Sequence, residues 1–123
     1  MANKIEFRRG DTRYISRYFT DKKGDVLKLN PDTDQVNFTV RKDSEDETVI
    51  IKKDTSNGIE ILEDGKCRIR LETTDTEHLE LGKYGYDIEI RIGANEEQPF
   101  VMTPEVGTLK LTKDYSRPPL GGA

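Results

Sequence analysis

Apolar and polar residues alternate with a period of two along much of this chain. Val36, Phe38 and Val40 are separated by Asn37 and Thr39. Cys67, Ile69 and Leu71 are separated by Arg68 and Arg70. The longest run carries Tyr84, Tyr86, Ile88, Ile90 and Ile92, with Gly85, Asp87, Glu89 and Arg91 between them, and Leu109 and Leu111 alternate with Thr108, Lys110 and Thr112. Such a period gives a strand one buried and one wet face, as in antiparallel sheets. Ile5 and Phe7 repeat the pattern near the N-terminus. Residues 13–19 mix both characters: Ile15 and Phe19 share a face with Arg13 and Arg17, and Tyr14 and Tyr18 take the other. A bulge, or an edge strand with a second contact surface, would account for that mixture.

Turn chemistry separates the runs. Asp21-Lys22-Lys23-Gly24, Asn57-Gly58, Glu63-Asp64-Gly65-Lys66 and Gly93-Ala94-Asn95 supply residues that tolerate positive φ. Asp64-Gly65 lies between Ile59/Ile61 and Cys67/Ile69 and predicts a hairpin. Residues 73–79 hold the one helical candidate, with Thr73 or Thr74 as cap and Glu77 three residues after Thr74. The expected fold is an all-β, immunoglobulin-like antiparallel β-sandwich without a disulfide, with about seven to nine short strands and at most one short helical turn. Residues 1–115 form the sandwich domain in this reading, and 116–123 a flexible C-terminal tail. The core should include Phe7, Ile15, Val36, Phe38, Val40, Ile69, Leu71, Tyr86, Ile88, Ile90 and Leu109.

Composition changes the picture in two respects. At 123 residues there is room for one domain, and 36% charged against 33% hydrophobic residues implies a heavily charged surface. A net charge of -4 with acids and bases interspersed gives no steering field for nucleic acid or an anionic membrane. No apolar run is long enough for a helical membrane span, and no signal-peptide core is expected at the N-terminus. A single cysteine, Cys67, allows no internal disulfide and fits a reducing compartment, or a particle assembled in one.

Candidate chemistry is sparse. Nucleophilic catalysis would need Cys67 to meet the single histidine, His78, yet Cys67 lies on a buried parity and His78 in a polar connection. The two therefore read as a core thiol and a surface imidazole. No catalytic, cofactor or metal residues are assigned. The acidic loops around Asp32/Asp34 and Asp43/Glu45/Asp46/Glu47 lack the order of a calcium loop and read as solvated turns. Arg9-Gly10-Asp11 spells an adhesion tripeptide but falls at a strand-to-strand bend instead of an exposed tip. Arg13, Tyr14, Arg17 and Tyr18 form a candidate interaction surface; aromatics beside cations suit single-stranded nucleic acid or glycan, for which a five-stranded barrel would be the matching fold. A hydrolase using paired carboxylates is a further alternative. Leu81-Gly82-Lys83-Tyr84-Gly85-Tyr86-Asp87 has the layout of a tyrosine corner, with Tyr84 in the corner role and Tyr86 where antibody domains carry their second cysteine; two plain core tyrosines are the other reading.

The order of these segments resembles a known family. Ile5-Glu6-Phe7-Arg8-Arg9-Gly10-Asp11-Thr12 is followed by Thr20-Asp21-Lys22-Lys23-Gly24, then Val36-Asn37-Phe38-Thr39-Val40-Arg41-Lys42. The Ile59 hairpin comes next, then Leu81-Gly82-Lys83-Tyr84-Gly85-Tyr86-Asp87-Ile88-Glu89-Ile90 and Gly107-Thr108-Leu109-Lys110-Leu111. Over residues 3–113 this is similar to the immunoglobulin-like N-terminal domain of phage baseplate upper proteins, from tailed phages and prophages of Gram-positive bacteria. The resemblance implies a virion structural protein of the tail, made in the bacterial cytoplasm, whose partners are other tail or baseplate proteins. Self-association is left open, while the charge and hydropathy of the chain, not the resemblance, disfavour nucleic acid and membrane as partners. It carries over no catalytic residue, no cofactor and no host binding. Arg13 and Arg17 stand where such domains tend to have apolar residues, so that strand is expected to pair or pack differently.

Overall fold

The computed structural model describes residues 3–113, except 22, 44–46, 63–64, 94–96 and 99. The tail at 116–123, the Asp64 turn position and much of the second acidic loop therefore lie outside the described residues. The strands are β1 (Asn3–Arg8), β2 (Arg13–Tyr18), β3 (Gln35–Arg41), β4 (Val49–Asp54), β5 (Ile59–Ile61), β6 (Lys66–Leu71), β7 (Gly82–Ile92) and β8 (Phe100–Thr112), with one helix, α1 (Thr73–Thr76), between β6 and β7. They form a five-stranded sheet in the order β1-β8-β7-β3-β4 and a three-stranded sheet in the order β2-β6-β5. This is an all-β sandwich with an immunoglobulin strand order: the second, fifth and fourth strands of that topology face the strand set to which β4 adds an extra member. The pairs are antiparallel except β1 with β8, which run parallel from Asn3↔Gly107 to Arg8↔Thr112.

The alternating residues face inward as their period requires. All of the expected core positions are buried, joined by Ile5, Phe19, Leu29, Ile51, Ile59, Cys67 and Leu111. β5 and β6 pair antiparallel, Ile59 with Ile69 and Ile61 with Cys67. Gly107 is where β1 comes alongside β8: a Cβ there would stand 2.4 Å from the Asn3 carbonyl oxygen and 2.9 Å from Tyr86 Cε1. Only glycine lets these three segments meet.

Three features depart from the sequence pattern. β4 has no alternation to announce it, because Val49, Ile50 and Ile51 run together and the next inward position is Lys53, buried and paired to Asp75 at 2.9 Å. β8 begins at Phe100, well before Leu109, and its first half contains Pro104 and the buried Glu105. There Ile88 pairs with Glu105 and Ile90 with Met102, so two residues of β8 oppose Glu89 alone, a bulge that hides the period. The cap of α1 is Glu72, not Thr73 or Thr74: Asp75 closes the capping box by accepting the Glu72 N–H at 2.6 Å.

Candidate functional site: one open side of the sandwich

β1 and β2 are consecutive in sequence but end up in different sheets, each at an edge. The turn between them is fixed to α1. Gly10 donates its N–H to the buried Thr76 hydroxyl at 2.8 Å, and Arg9 Nη1 donates to the Leu79 carbonyl at 3.1 Å. Gly10 is buried, with φ at 82°, so Arg9-Gly10-Asp11 is part of a packed bend and offers no adhesion tip. With the bend pinned, β1 follows the second half of β8, and one edge of β2, along Arg13–Tyr18, has no partner strand among the described residues.

The four residues singled out on β2 divide between two roles. Tyr14 and Tyr18 point out of the sandwich, 49% and 56% exposed. Arg17 turns inward, on the face it shares with Ile15, and is partly buried. Its Nε donates to Glu105 Oε1 at 2.8 Å and its Nη2 to Oε2 at 3.2 Å, so the guanidinium grips the carboxylate with two donors. Tyr86 completes the group, its hydroxyl donating to Glu105 Oε2 at 2.5 Å. Arg17 Nη1 also donates to the exposed Ser16 carbonyl at 3.0 Å. Arg13 is exposed and makes no ion pair among the described residues.

The electrostatics follow from this geometry. Burial raises the Glu105 carboxyl, but the hydrogen bonds from Arg17 and Tyr86 outweigh it and hold the group below its ordinary value. Glu105 in turn pushes Arg17 up. Burial, then the Glu105 carboxylate, pushes the Tyr86 phenol far above its usual range. Burial likewise raises the Cys67 thiol to about 11, so it is a packed core group with little thiolate character at neutral pH. His78 is exposed in the turn after α1.

On the outer face of β2-β6-β5, Tyr14 lies between two guanidinium groups. Arg68 is 5.3 Å and Arg70 5.6 Å from the ring centroid. Each cation has an acidic partner, Glu60 at 2.9 Å for Arg68 and Glu72 at 2.8 Å for Arg70. The Tyr-Arg strip is therefore real but charge-compensated. Its supporting cations come from β6, not from Arg13 and Arg17 as expected, because cross-strand register sets Tyr14 opposite Arg70 and Ser16 opposite Arg68. The five-stranded barrel that a nucleic-acid reading called for is not the fold.

Elsewhere the polar motifs shape turns. Asp34 Oδ2 accepts the Asn30 N–H at 2.7 Å, and Oδ1 accepts the Gly93 N–H at 3.0 Å, tying the loop before β3 to the end of β7. Tyr84 donates its hydroxyl to the Glu80 carbonyl at 2.7 Å, the contact that defines a tyrosine corner. Tyr86 is buried against Phe38, the ring centroids 5.7 Å apart. The signal for the inward ion pair was an arginine at inward parity on β2; its partner could not be found because Glu105 follows Pro104 in a stretch without period. No family model matches this sequence, and no curated protein matches it significantly.

Proposed function

We propose that this protein is a structural module of a phage or prophage tail or baseplate, acting through protein–protein attachment and not through catalysis. The observation that supports an assembly role is the contrast between its two neighbouring open edges. The stretch of β8 at residues 100–106 pairs with β7 on one side but has no strand on its other side among the described residues, and it carries a bulge and a proline. These are the devices by which proteins protect an edge from unwanted pairing. β2 has no proline and pairs with β6 through six positions without a register shift. An edge with neither bulge nor proline, flanked by exposed Tyr14 and Tyr18, is a surface suited to a protein partner. The tail assignment is supported by the order of segments shared with baseplate upper proteins. Mass spectrometry of purified particles from a lysogen or phage encoding this chain tests it: stoichiometric incorporation is expected, and absence from the particles overturns the assignment.

A second reading is favoured by the Tyr14 ring between Arg68 and Arg70: the outer face as a platform for single-stranded nucleic acid or glycan. It requires binding that is lost in Tyr14→Ala. No binding by the wild-type protein to oligonucleotide or glycan arrays removes it.

A further inference from the structure

We propose that the open edge of β2 is an acceptor for an extended segment of a partner protein, which adds antiparallel to Arg13–Tyr18 and makes the smaller sheet four-stranded. This rests on the assembly reading only in taking the partner to be a protein.

Topology gives the first argument. In a constant-type immunoglobulin sandwich the smaller set here would have a fourth member, the first strand of the domain, lying against the second. In this chain the first strand runs along β8 instead, so the lane beside β2 holds no strand among the described residues. A groove of about 200 Å³ follows that lane between β1 and β2, lined by Lys4, Ile5 and Glu6 on one side and by residues 13–17 on the other. Its apolar members, Ile5 and Ile15, are buried core residues. Added strands gain affinity from main-chain hydrogen bonds and selectivity from alternate side chains. The Ser16 carbonyl already accepts a donor at this edge, the Arg17 guanidinium, in the role that a strand N–H would take.

Charge gives the second argument and fixes the chemistry of the occupant. Along the groove Lys4 pairs with Glu6 at 2.9 Å and Arg17 with Glu105 at 2.8 Å, which leaves Arg13 as the groove cation without an ion pair among the described residues. The incoming strand should carry a carboxylate to meet Arg13 and apolar residues toward Ile15. A second copy of β2 fits poorly. Opposed residues of an antiparallel pair share a face, so a two-fold register must centre on a residue. Centring on Ile15 opposes Arg13 to Arg17, two cations; centring on Ser16 opposes Arg17 to Ile15.

The test is selection of a random library of roughly twelve-residue peptides, long enough to span a strand, on the purified protein. Synthetic versions of the enriched peptides are then mapped by amide NMR. The expected peptides alternate apolar residues with an Asp or Glu, shift the amides of residues 13–18 and slow exchange at that edge. Arg13→Glu, an exposed change that should leave the fold intact by circular dichroism, weakens them by about tenfold or more, and Arg13→Lys retains most of the affinity. Peptides that map to β8 or to the outer tyrosine face, or no enriched peptide at all, overturn the proposal. So does concentration-dependent dimerisation that protects the same amides, since a second copy would then fill the lane. Absence from phage particles would overturn the tail assignment and leave this result standing.

Discussion

At the scale of single residues, Glu105 is the side chain whose removal should be most informative. It is 10% exposed and neutralised by two neighbours, so its loss strands the Arg17 guanidinium and the Tyr86 hydroxyl together. Breaking a buried charge pair from one side is costly, and Glu105→Ala is expected to destabilise by roughly 2–4 kcal/mol in chemical denaturation. The pH dependence has a definite sign. The folded carboxyl sits below its unfolded value, so its contribution is complete above the ordinary carboxylate range and fades as pH falls through the folded value. The gap in denaturation midpoint between wild type and Glu105→Gln should therefore be level near neutrality and narrow below about pH 4. A gap that widens on acidification would contradict the arrangement. Gly107 makes a second residue-scale case. Because a Cβ would strike the Asn3 carbonyl, Gly107→Ala should cost about 1–3 kcal/mol and raise amide exchange in β1.

At the scale of elements, legibility in the sequence tracked how well each strand kept its period. β3, β6 and β7 alternate without interruption, and their core residues could be named in advance. β4 was missed because its second inward position is Lys53, a residue that reads as solvent until Asp75 is brought beside it by α1. The first half of β8 was missed because a bulge and Pro104 erase the alternation. The candidate site suffered from the same cause. The odd parity of Arg17 was visible, yet its meaning lay in Glu105, distant in sequence and in an aperiodic stretch. Local pattern cannot encode a pairing that only the closure of two sheets creates. The bend between β1 and β2 is a testable instance: Thr76 is fully buried and accepts the Gly10 N–H. Thr76→Val keeps the shape but orphans that donor, and it should lower stability by about 1–3 kcal/mol. Thr76→Ser should recover most of the loss.

At the scale of the whole molecule, the sandwich is clamped across both of its sides. Arg17–Glu105 joins β2 to β8 on the open side, and Lys53–Asp75 joins β4 to the helix that follows β6 on the other. Each clamp ties an edge strand, β2 or β4, to the segment packed across from it. The clamps share no residue and belong to separate hydrogen-bond networks. Their energies should accordingly add: the loss in Lys53→Met with Glu105→Gln should equal the summed single losses within about 0.5 kcal/mol. Glu105→Gln combined with Tyr86→Phe should instead fall short of its sum, because both changes act on one carboxylate. Denaturant titration of the five variants separates the cases. Strong coupling between the two clamps would mean that the sheets shift as rigid layers. Additivity would mean that each side closes independently, leaving the β2 side able to accept a strand without loosening the other.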